Sequence, residues 1–325
     1  MKVLVLGGTR FAGRAIVEAL ASRGHDVTCF HRGNNSAELP AGVRETFGDR
    51  NEPLPAALEQ AWDAVVDVSG QLPDQVRRTA ALDANRYLFI STLSVYRDNS
   101  QIGVDETAAT IHEFDPSDAA AAYGGNKTAC EEIVVEKFGD RATILRPGII
   151  VGPWDYTGRF SYWPKRASHG GRFIVPAPPE RAMQFVDARD LAEFALHAVE
   201  NAIGGRFNVI GPEQPYTFGE LIDACVKAAA ERGVRAEPIY IDGTAIFAAG
   251  VEPWTDLPMW IDEPQYAGLF TASNRRAVAA GLRFRAPIET IRALLDWVAT
   301  PPGAAVQAGL SLEREAEVLA QKEAL

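Results

Sequence analysis

Residues 2–20, KVLVLGGTRFAGRAIVEAL, decide the fold of this chain. Residues 3–6 form a continuous apolar run, which is typical of a buried parallel strand. A glycine-containing turn follows at residues 7–13, and apolar residues then recur at helical spacing from Ala15 to Leu20. Because a second apolar run follows at residues 27–30, the segment predicts a strand–helix–strand unit.

The glycine turn between the first strand and the first helix is a candidate phosphate-binding site. Gly7 and Gly13 form a G-x-x-x-x-x-G pattern in which Arg10 occupies the place of the usual middle glycine. Glycines there allow the backbone to approach a pyrophosphate, which the N-terminus of the following helix attracts. A tight turn without a ligand is the alternative interpretation. The residues assigned to dinucleotide binding are Gly7, Thr9, Arg10, Phe11 and Gly13.

The end of the second strand bears on the choice between NAD and NADP. An NAD site usually places an acidic residue there to hold the ribose 2′-hydroxyl, whereas this chain reads His31-Arg32-Gly33. Arg10 and Arg32 could together bind a 2′-phosphate, although two ordinary surface arginines would look the same. We therefore expect NADP, with NAD possible. Asp49, after the third strand, is either an acceptor for the adenine amino group or a turn residue.

Tyr123 and Lys127, in the segment YGGNK, are the candidate proton-transfer residues. Four residues is about one helical turn, so both side chains project from the same face of a helix. A free phenol has a pKa of about 10 and is a poor base at neutral pH. A lysine ammonium one turn away would stabilise the phenolate and lower that pKa. The pair suits proton exchange with an alcohol or carbonyl, although two solvated side chains would show the same spacing.

Several motifs carry a resemblance to a known family. The chain resembles the extended branch of the short-chain dehydrogenase/reductase superfamily, the NAD-dependent epimerase/dehydratase group, from Met1 to about Thr300. The matching motifs are GGTRFAG, YLFISTLSVY, YGGNK, ILRPGIIVGPWD and FVDARDLAEF. The resemblance implies that Tyr123 is the general acid/base and that Lys127 also holds the nicotinamide ribose. It further implies that Thr92 orients the substrate oxygen.

Two departures from that family narrow the expected reaction. Sugar-nucleotide 4,6-dehydratases carry Asp-Glu directly after the catalytic threonine, where this chain has Leu93 and Ser94. We therefore expect no 4,6-dehydration. Sugar-nucleotide enzymes also commonly carry an Arg-Asp pair whose arginine holds a diphosphate, and the corresponding residues here are Met183 and Gln184. A nucleoside-diphosphate sugar is therefore a less secure expectation than the oxidoreductase core.

Other residues are candidates for substrate contact. Ser94 follows the catalytic strand motif, and Trp154 opens an aromatic segment that either lines a pocket or packs in the core. Arg181 or Arg172 could replace the missing diphosphate-binding arginine. Asp67, within an apolar run, is either a turn acid at the end of a strand or a residue near the nicotinamide ribose.

Alternating predicted strands and helices indicate an α/β fold with a doubly wound parallel sheet, that is, a Rossmann fold. We expect the dinucleotide-binding domain at residues 1–155, with returning segments at about 181–212. A smaller, partly interleaved substrate domain is expected at 156–180 and 213–300. Residues 301–325 are expected to form a linker and a C-terminal helix.

The pattern changes after Pro212. Helices are predicted at about 218–232, 274–281 and 288–299, and a strand is predicted at 239–241. The C-terminal helix could pack on its own domain or on a neighbouring subunit, so a homodimer is possible.

Composition agrees with a soluble enzyme. The chain has 325 residues and is 47% hydrophobic, enough to bury a substantial core. Cys29, Cys130 and Cys225 lack metal-ligand spacing and cannot all pair, which favours a reducing cytoplasm. The five histidines form no cluster, so no metal site is expected. Residues 3–6 are too short a run for a signal sequence or a membrane span, so no membrane association is expected.

Three functions follow as hypotheses. The first is an NADP-dependent oxidoreductase acting on a small-molecule carbonyl or secondary alcohol. The second is an epimerase, acting on a sugar or nucleotide sugar, whose bound cofactor takes a hydride and returns it to the opposite face. The third is a non-catalytic cofactor-binding or RNA-binding protein, since a chloroplast relative with the GGTRF opening binds RNA. The net charge of −11 argues against a nucleic-acid partner.

Overall fold

The structure of the protein, a computed structural model, describes residues 1–35, 38–301 and 307–323. Within these residues the strands are, in chain order, β1 (Lys2–Leu6), β2 (Asp26–His31), β3 (Arg44–Phe47), β4 (Trp62–Asp67), β5 (Ala84–Ile90), β6 (Ala142–Pro147), β7 (Ile150–Val151), β8 (Gly171–Pro176), β9 (Ala182–Asp187), β10 (Gly205–Val209), β11 (Gly211–Thr217) and β12 (Ala236–Ile241). The helices are α1 (Phe11–Ser22), α2 (Pro73–Ala80), α3 (Ala119–Phe138), α4 (Tyr162–Ser168), α5 (Ala188–Glu200), α6 (Phe218–Glu231), α7 (Gly243–Ala248), α8 (Arg275–Ala279), α9 (Pro287–Val298) and α10 (Leu312–Glu323).

The main sheet has seven strands in the order β10-β6-β5-β4-β1-β2-β3, and every neighbouring pair is parallel. Successive residues of a strand face opposite sides of a sheet. Val3 and Val5 of β1 accordingly pack in the cluster that includes α1 and α5. Leu4 and Leu6 pack in the cluster that includes α2 and α3. Helices therefore cover both faces, which confirms the predicted doubly wound α/β fold.

A second group of elements packs around large aromatic side chains. Trp163 of α4, Phe173 of β8 and Phe218 of α6 are fully buried together with Trp260 and residues of α9. β8 pairs in parallel with β12, and β9 joins β7 and β11 in a separate three-stranded sheet. Between these elements the chain returns to the main sheet through α5 and β10. The two groups are therefore interleaved along the sequence.

Several element boundaries differ from those predicted. The apolar run at residues 142–151 predicts a single strand, whereas the structure has two, because β6 ends at Pro147 and β7 begins at Ile150. β12 begins at Ala236, three residues before the predicted strand, and α8 is shorter than its predicted helix. α10 lies within the predicted C-terminal helix, whereas residues 302–306 of the predicted linker lie outside the described residues.

Two absences apply to the described part of the chain. None of its helices is both long enough and apolar enough to cross a bilayer. In the same residues, no three or more His, Cys, Asp or Glu side chains are placed to share a metal ion.

Candidate active site

A cavity of about 530 Å³ lies at the carboxyl ends of the main-sheet strands. Its walls come from the segments that directly follow β1, β2, β3, β4, β5 and β6. The strand order reverses between β1 and β4, and ligands of open α/β sheets bind at such a reversal. The predicted cofactor residues all border this cavity: Gly7, Thr9, Arg10, Phe11, Gly13, Arg32, Asp49 and Lys127.

The glycine turn is shaped by close backbone contacts. A Cβ atom on Gly13 would lie 2.1 Å from the carbonyl oxygen of Gly7, so the helix can approach the strand only with glycine at this position. Gly7 has φ +92°, and a Cβ there would lie 2.5 Å from the Cβ of Ser69. The N-cap residue of α1, Arg10, provides no side-chain cap, and the first turn of the helix carries no acid. The N–H groups at the start of α1 thus face the cavity in the arrangement that suits a pyrophosphate.

Three of the predicted cofactor-binding residues present charged side chains at the cavity. Arg32 is exposed and pairs with no acid in the described part of the chain. Arg10 is also exposed, and its guanidinium lies 4.6 Å from the ring centroid of Tyr156. The Asp49 carboxylate accepts hydrogen bonds from the backbone N–H and the side-chain amide of Asn51, at 2.9 and 2.8 Å. Two cations and one carboxylate therefore border the same opening.

The YGGNK segment lies on α3, which the Asp118 carboxylate caps at the N-terminus. Helix-interior glycine typically costs about 1 kcal/mol relative to alanine. Here a Cβ on Gly124 would lie 2.2 Å from the backbone oxygen of Ser94, and a Cβ on Gly125 would lie 2.1 Å from the ring of Phe114. Gly124 therefore lets α3 approach the turn that follows β5, and Gly125 leaves room for the ring of Phe114.

Thr92 and Tyr123 meet at the edge of the cavity. Tyr123 is 44% exposed, and burial of the remainder raises the pKa of its phenol, while a hydrogen bond from Thr92 lowers it. Solvent on the exposed side moderates the rise. A phenol protonated at neutral pH and aligned by a hydroxyl group can deliver a proton to a ligand oxygen.

Lys127 is almost fully buried beneath the cavity. Its Nζ donates hydrogen bonds to the carbonyl oxygens of Gly70 and Ile90, both at 2.7 Å. Burial lowers the pKa of the ammonium to about 8, and the negative charge of Asp67 partly offsets that effect. The predicted lowering of the Tyr123 pKa by Lys127 is not seen in the described residues, because the ammonium is directed to these two carbonyls. Lys127 instead links the segments after β4 and β5.

Asp67 is fully buried at the end of β4, and its role becomes clear from its partners. Both of its carboxylate oxygens accept hydrogen bonds of 2.7 Å from Arg50, and Tyr87 donates to it at 2.8 Å. The backbone N–H groups of Ser69 and Gly70 also donate to it. It is therefore an acid that fixes the turn after the strand, the first of the two alternatives. Its partner Arg50, which lines the cavity, was not among the residues predicted from the sequence.

A second buried ion pair lies at the end of β5. Glu131 accepts from Arg146 at 2.9 and 2.7 Å and from the hydroxyl of Ser91 at 2.6 Å. Ser91 precedes Thr92, and Glu131 follows Lys127 by one turn of α3. This pair was not predicted from the sequence either. The four-residue spacing from Lys127 to Glu131 nevertheless indicates that both side chains lie on one face of the helix.

The predicted substrate residues occupy three different environments. Ser94 donates its backbone N–H to the Oγ1 of Thr92 at 3.1 Å, but it is not itself among the residues that border the cavity. Trp154 packs against α1 and does not border the cavity. Arg181 is also away from the cavity, where it donates a 2.6 Å hydrogen bond to Asp262.

The parallel sheet, the glycine turn and the cavity at the strand reversal together define a dinucleotide-binding enzyme. Comparison with known protein families supports the same class. The model described as "NAD dependent epimerase/dehydratase family" matches residues 3–69 and 56–211, well over half of the chain. The chain therefore belongs to that family, and the predicted resemblance is confirmed.

Individual relatives are distant. The chain is 27% identical over 247 residues to the chloroplast stem-loop binding protein of 41 kDa b of Arabidopsis thaliana. That match spans 70% of this chain and 63%, under two thirds, of the relative. A UDP-glucose 4-epimerase of Corynebacterium glutamicum is 24% identical, with 69% of this chain and 79% of the relative covered. The solved UDP-glucuronic acid 4-epimerase of Bacillus cereus, in complex with NAD, superposes with a TM-score of 0.66 at 16% identity, over 92% of this chain and 99% of that one.

Proposed function

We propose that this protein is an NAD(P)-dependent oxidoreductase acting on a small-molecule carbonyl or secondary alcohol, with Tyr123 as the general acid/base. The observation that carries the proposal is the convergence of Thr92, Tyr123 and Lys127 on the cavity that the glycine turn also borders. A bound nicotinamide supplies or accepts the hydride. Measuring the absorbance of the reduced nicotinamide with each dinucleotide and a panel of carbonyl compounds tests the proposal directly.

Three residues of the chain have separate roles around the reacting oxygen. Tyr123 moves the proton, and Thr92 fixes both the phenol and the substrate oxygen. Lys127 holds the ends of β4 and β5 at a fixed separation through its two carbonyl bonds. It is also the residue expected to hold the nicotinamide ribose.

An epimerase that retains its cofactor is the second candidate, favoured by the names of several relatives. Turnover without net change in the reduced cofactor would identify it. The positions that correspond to a diphosphate-binding pair argue against a nucleoside-diphosphate sugar as substrate. Met183 is fully buried, and the side chain of Gln184 donates to the carbonyl of Pro212 at 2.7 Å. Arg181 is engaged with Asp262. We therefore favour a substrate without a nucleotide.

A non-catalytic, RNA-binding role is the third candidate, because the Arabidopsis relative is named for stem-loop binding. RNA affinity depends largely on cations that contact phosphates, and this chain has a net charge of −11. An RNA mobility-shift assay would distinguish this role from the enzymatic one.

We predict that Arg32→Ala weakens NADP(H) binding by about ten- to a hundredfold and NAD(H) binding much less. The reason is that a charge-assisted hydrogen bond to a phosphate is typically worth about 1.5–3 kcal/mol. Titration of the intrinsic fluorescence with each dinucleotide measures both affinities. Arg77→Ala, an exposed arginine paired with Asp74, is the matched control. Equal losses for the two dinucleotides, or a wild type that prefers NAD, would contradict the assignment.

Other expectations remain part of the proposal. We assign residues 1–155 and about 181–212 to dinucleotide binding, and 156–180 with 213–300 to the substrate. Cys29, Cys130 and Cys225 are free and buried, which supports a reducing compartment such as the cytoplasm. A homodimer is retained as a possibility that a sedimentation measurement would test.

A further inference from the structure

The segment that follows β7 crosses to the start of α1. We define Trp154, Asp155 and Tyr156 as the clamp segment. The guanidinium of Arg10 lies 4.6 Å from the ring centroid of Tyr156, and that of Arg14 lies 3.8 Å from the ring of Trp154. Arg10 and Arg14 are one helical turn apart, so two successive cations of α1 each contact one aromatic ring of the clamp segment.

The two cation–aromatic contacts lie on different sides of the cavity wall. Arg10 and Tyr156 both border the cavity, and we call their contact the inner contact. Arg14 and Trp154 lie outside the cavity lining, and we call theirs the outer contact. The ring of Trp154 is further held against that of Trp297, with 5.9 Å between centroids. The outer contact therefore anchors the segment, while the inner contact is placed to meet a ligand.

The clamp segment adopts a conformation with a free-energy cost of its own. Trp154 has φ +69°, in the left-handed region that side chains other than glycine rarely occupy. Asp155 is only 1% exposed, and its Oδ1 accepts from the backbone N–H and hydroxyl of Thr157. Its Oδ2 is buried without a hydrogen-bond partner in the described residues. A segment keeps such an unfavourable conformation only where surrounding contacts stabilise it. The two cation–aromatic contacts are placed to stabilise the clamp segment.

We propose that the clamp segment retains a dinucleotide bound in the cavity. The Arg10 guanidinium carbon lies over the ring of Tyr156, and no acid pairs with this guanidinium in the described residues. Its N–H edge remains for a phosphate oxygen at the N-terminus of α1. Release of the ligand then requires the inner contact to break. The inference rests on the proposed function, because it takes the ligand to be a dinucleotide.

The release rate of a reduced dinucleotide tests the clamp. NADH or NADPH is bound to the full chain and displaced with excess oxidised dinucleotide in a stopped-flow fluorimeter. A cation–π contact is worth about 0.5–2 kcal/mol, so Tyr156→Ala should accelerate release by about two- to thirtyfold. Tyr156→Phe keeps the ring and should keep release slow. Because Tyr156 is 58% exposed, its truncation opens no core cavity.

A second variant tests the outer contact, which lies outside the cavity lining. Arg14→Ala removes the outer contact without removing any cavity-lining group, and it should also accelerate release. Glu18→Gln is the matched control, because Glu18 is the other partner of Arg14, at 2.7 Å, and its loss leaves the ring contact in place.

The results of these experiments distinguish failure of the clamp from failure of the proposed function. If the wild type binds a dinucleotide while Tyr156→Ala and Arg14→Ala release it at the wild-type rate, the clamp is overturned and the proposed function stands. If the wild type binds neither NADH nor NADPH, both are overturned. Faster release in both variants, with Tyr156→Phe and Glu18→Gln unchanged, supports the clamp.

Discussion

Replacing Tyr123 with Phe should lower turnover by about a hundred- to ten-thousandfold, the usual contribution of a general acid–base group. The substitution removes only the phenolic oxygen, which adjoins Thr92 at the edge of the cavity. Since Tyr123 is 44% exposed, the protein should fold and bind dinucleotide as before. Steady-state kinetics on a substrate identified from the carbonyl panel measure the loss, and dinucleotide titration verifies the binding.

Substitutions at Thr92 and Lys127 test whether the loss of turnover is specific to Tyr123. Thr92→Val is nearly isosteric and should cost less than the tyrosine change, without affecting dinucleotide affinity. Lys127→Met should reduce both rate and affinity, because it removes the links to Gly70 and Ile90 as well as the charge. Wild-type turnover by the Tyr123→Phe variant would exclude a short-chain dehydrogenase mechanism.

Replacing Arg50 with Met should destabilise the protein by about 3–5 kcal/mol, because it leaves the charge of Asp67 buried and uncompensated. Asp67 is fully buried, and Arg50 supplies two of its hydrogen bonds. Urea unfolding followed by circular dichroism measures the change. Arg77→Met, at an exposed ion pair with Asp74, should cost no more than about 1 kcal/mol. The double variant Arg50→Met with Asp67→Asn should recover part of the loss.

The Arg50–Asp67 pair also makes the stability of the protein depend on pH, and the sign of that dependence follows from the pKa of Asp67. Burial by itself raises the pKa of the Asp67 carboxyl, but the charge and hydrogen bonds of Arg50, together with the hydrogen bond from Tyr87 and the charge of Lys127, hold the pKa below its usual range. The resulting stability is present above the unfolded pKa, about 3.9, and is lost as the pH falls through the lower folded value. In Arg50→Met the hydrogen bonds from Tyr87, Ser69 and Gly70 remain, but the charge and hydrogen bonds of Arg50 no longer oppose burial. The pKa of the Asp67 carboxyl should therefore rise, and the variant should regain stability as the pH falls from 7 to 5. A variant equally destabilised at both pH values would contradict this account.

The features that sequence predicted well are local. The glycine turn and the Tyr123–Lys127 spacing depend on residues within one strand–helix unit or one helical turn, so short-range rules suffice for them. The approach of Thr92 to Tyr123 joins two distant segments, and it was available only through the family resemblance.

The features that sequence missed depend on how segments pack. Arg50 follows β3 and Asp67 is the last residue of β4, so their pairing requires the sheet to be assembled. Trp154 was expected either to line a pocket or to pack in the core, and it packs against α1 because the segment after β7 crosses to that helix. Arg181 was expected near an anion, but Asp262, 81 residues later, neutralises it. No local pattern specifies such long-range partners.

The position of β10 has a consequence for how the chain is made. This strand completes the edge of the main sheet beside β6, and α5, just before it, covers the face that α1 also covers. Both elements are synthesised only after the chain has passed through α4 and β8. A nascent chain ending near residue 155 therefore exposes the apolar side of α1 and an unpaired strand edge, which favours aggregation. The nucleotide-binding half cannot finish folding on the ribosome until residues beyond 200 have emerged.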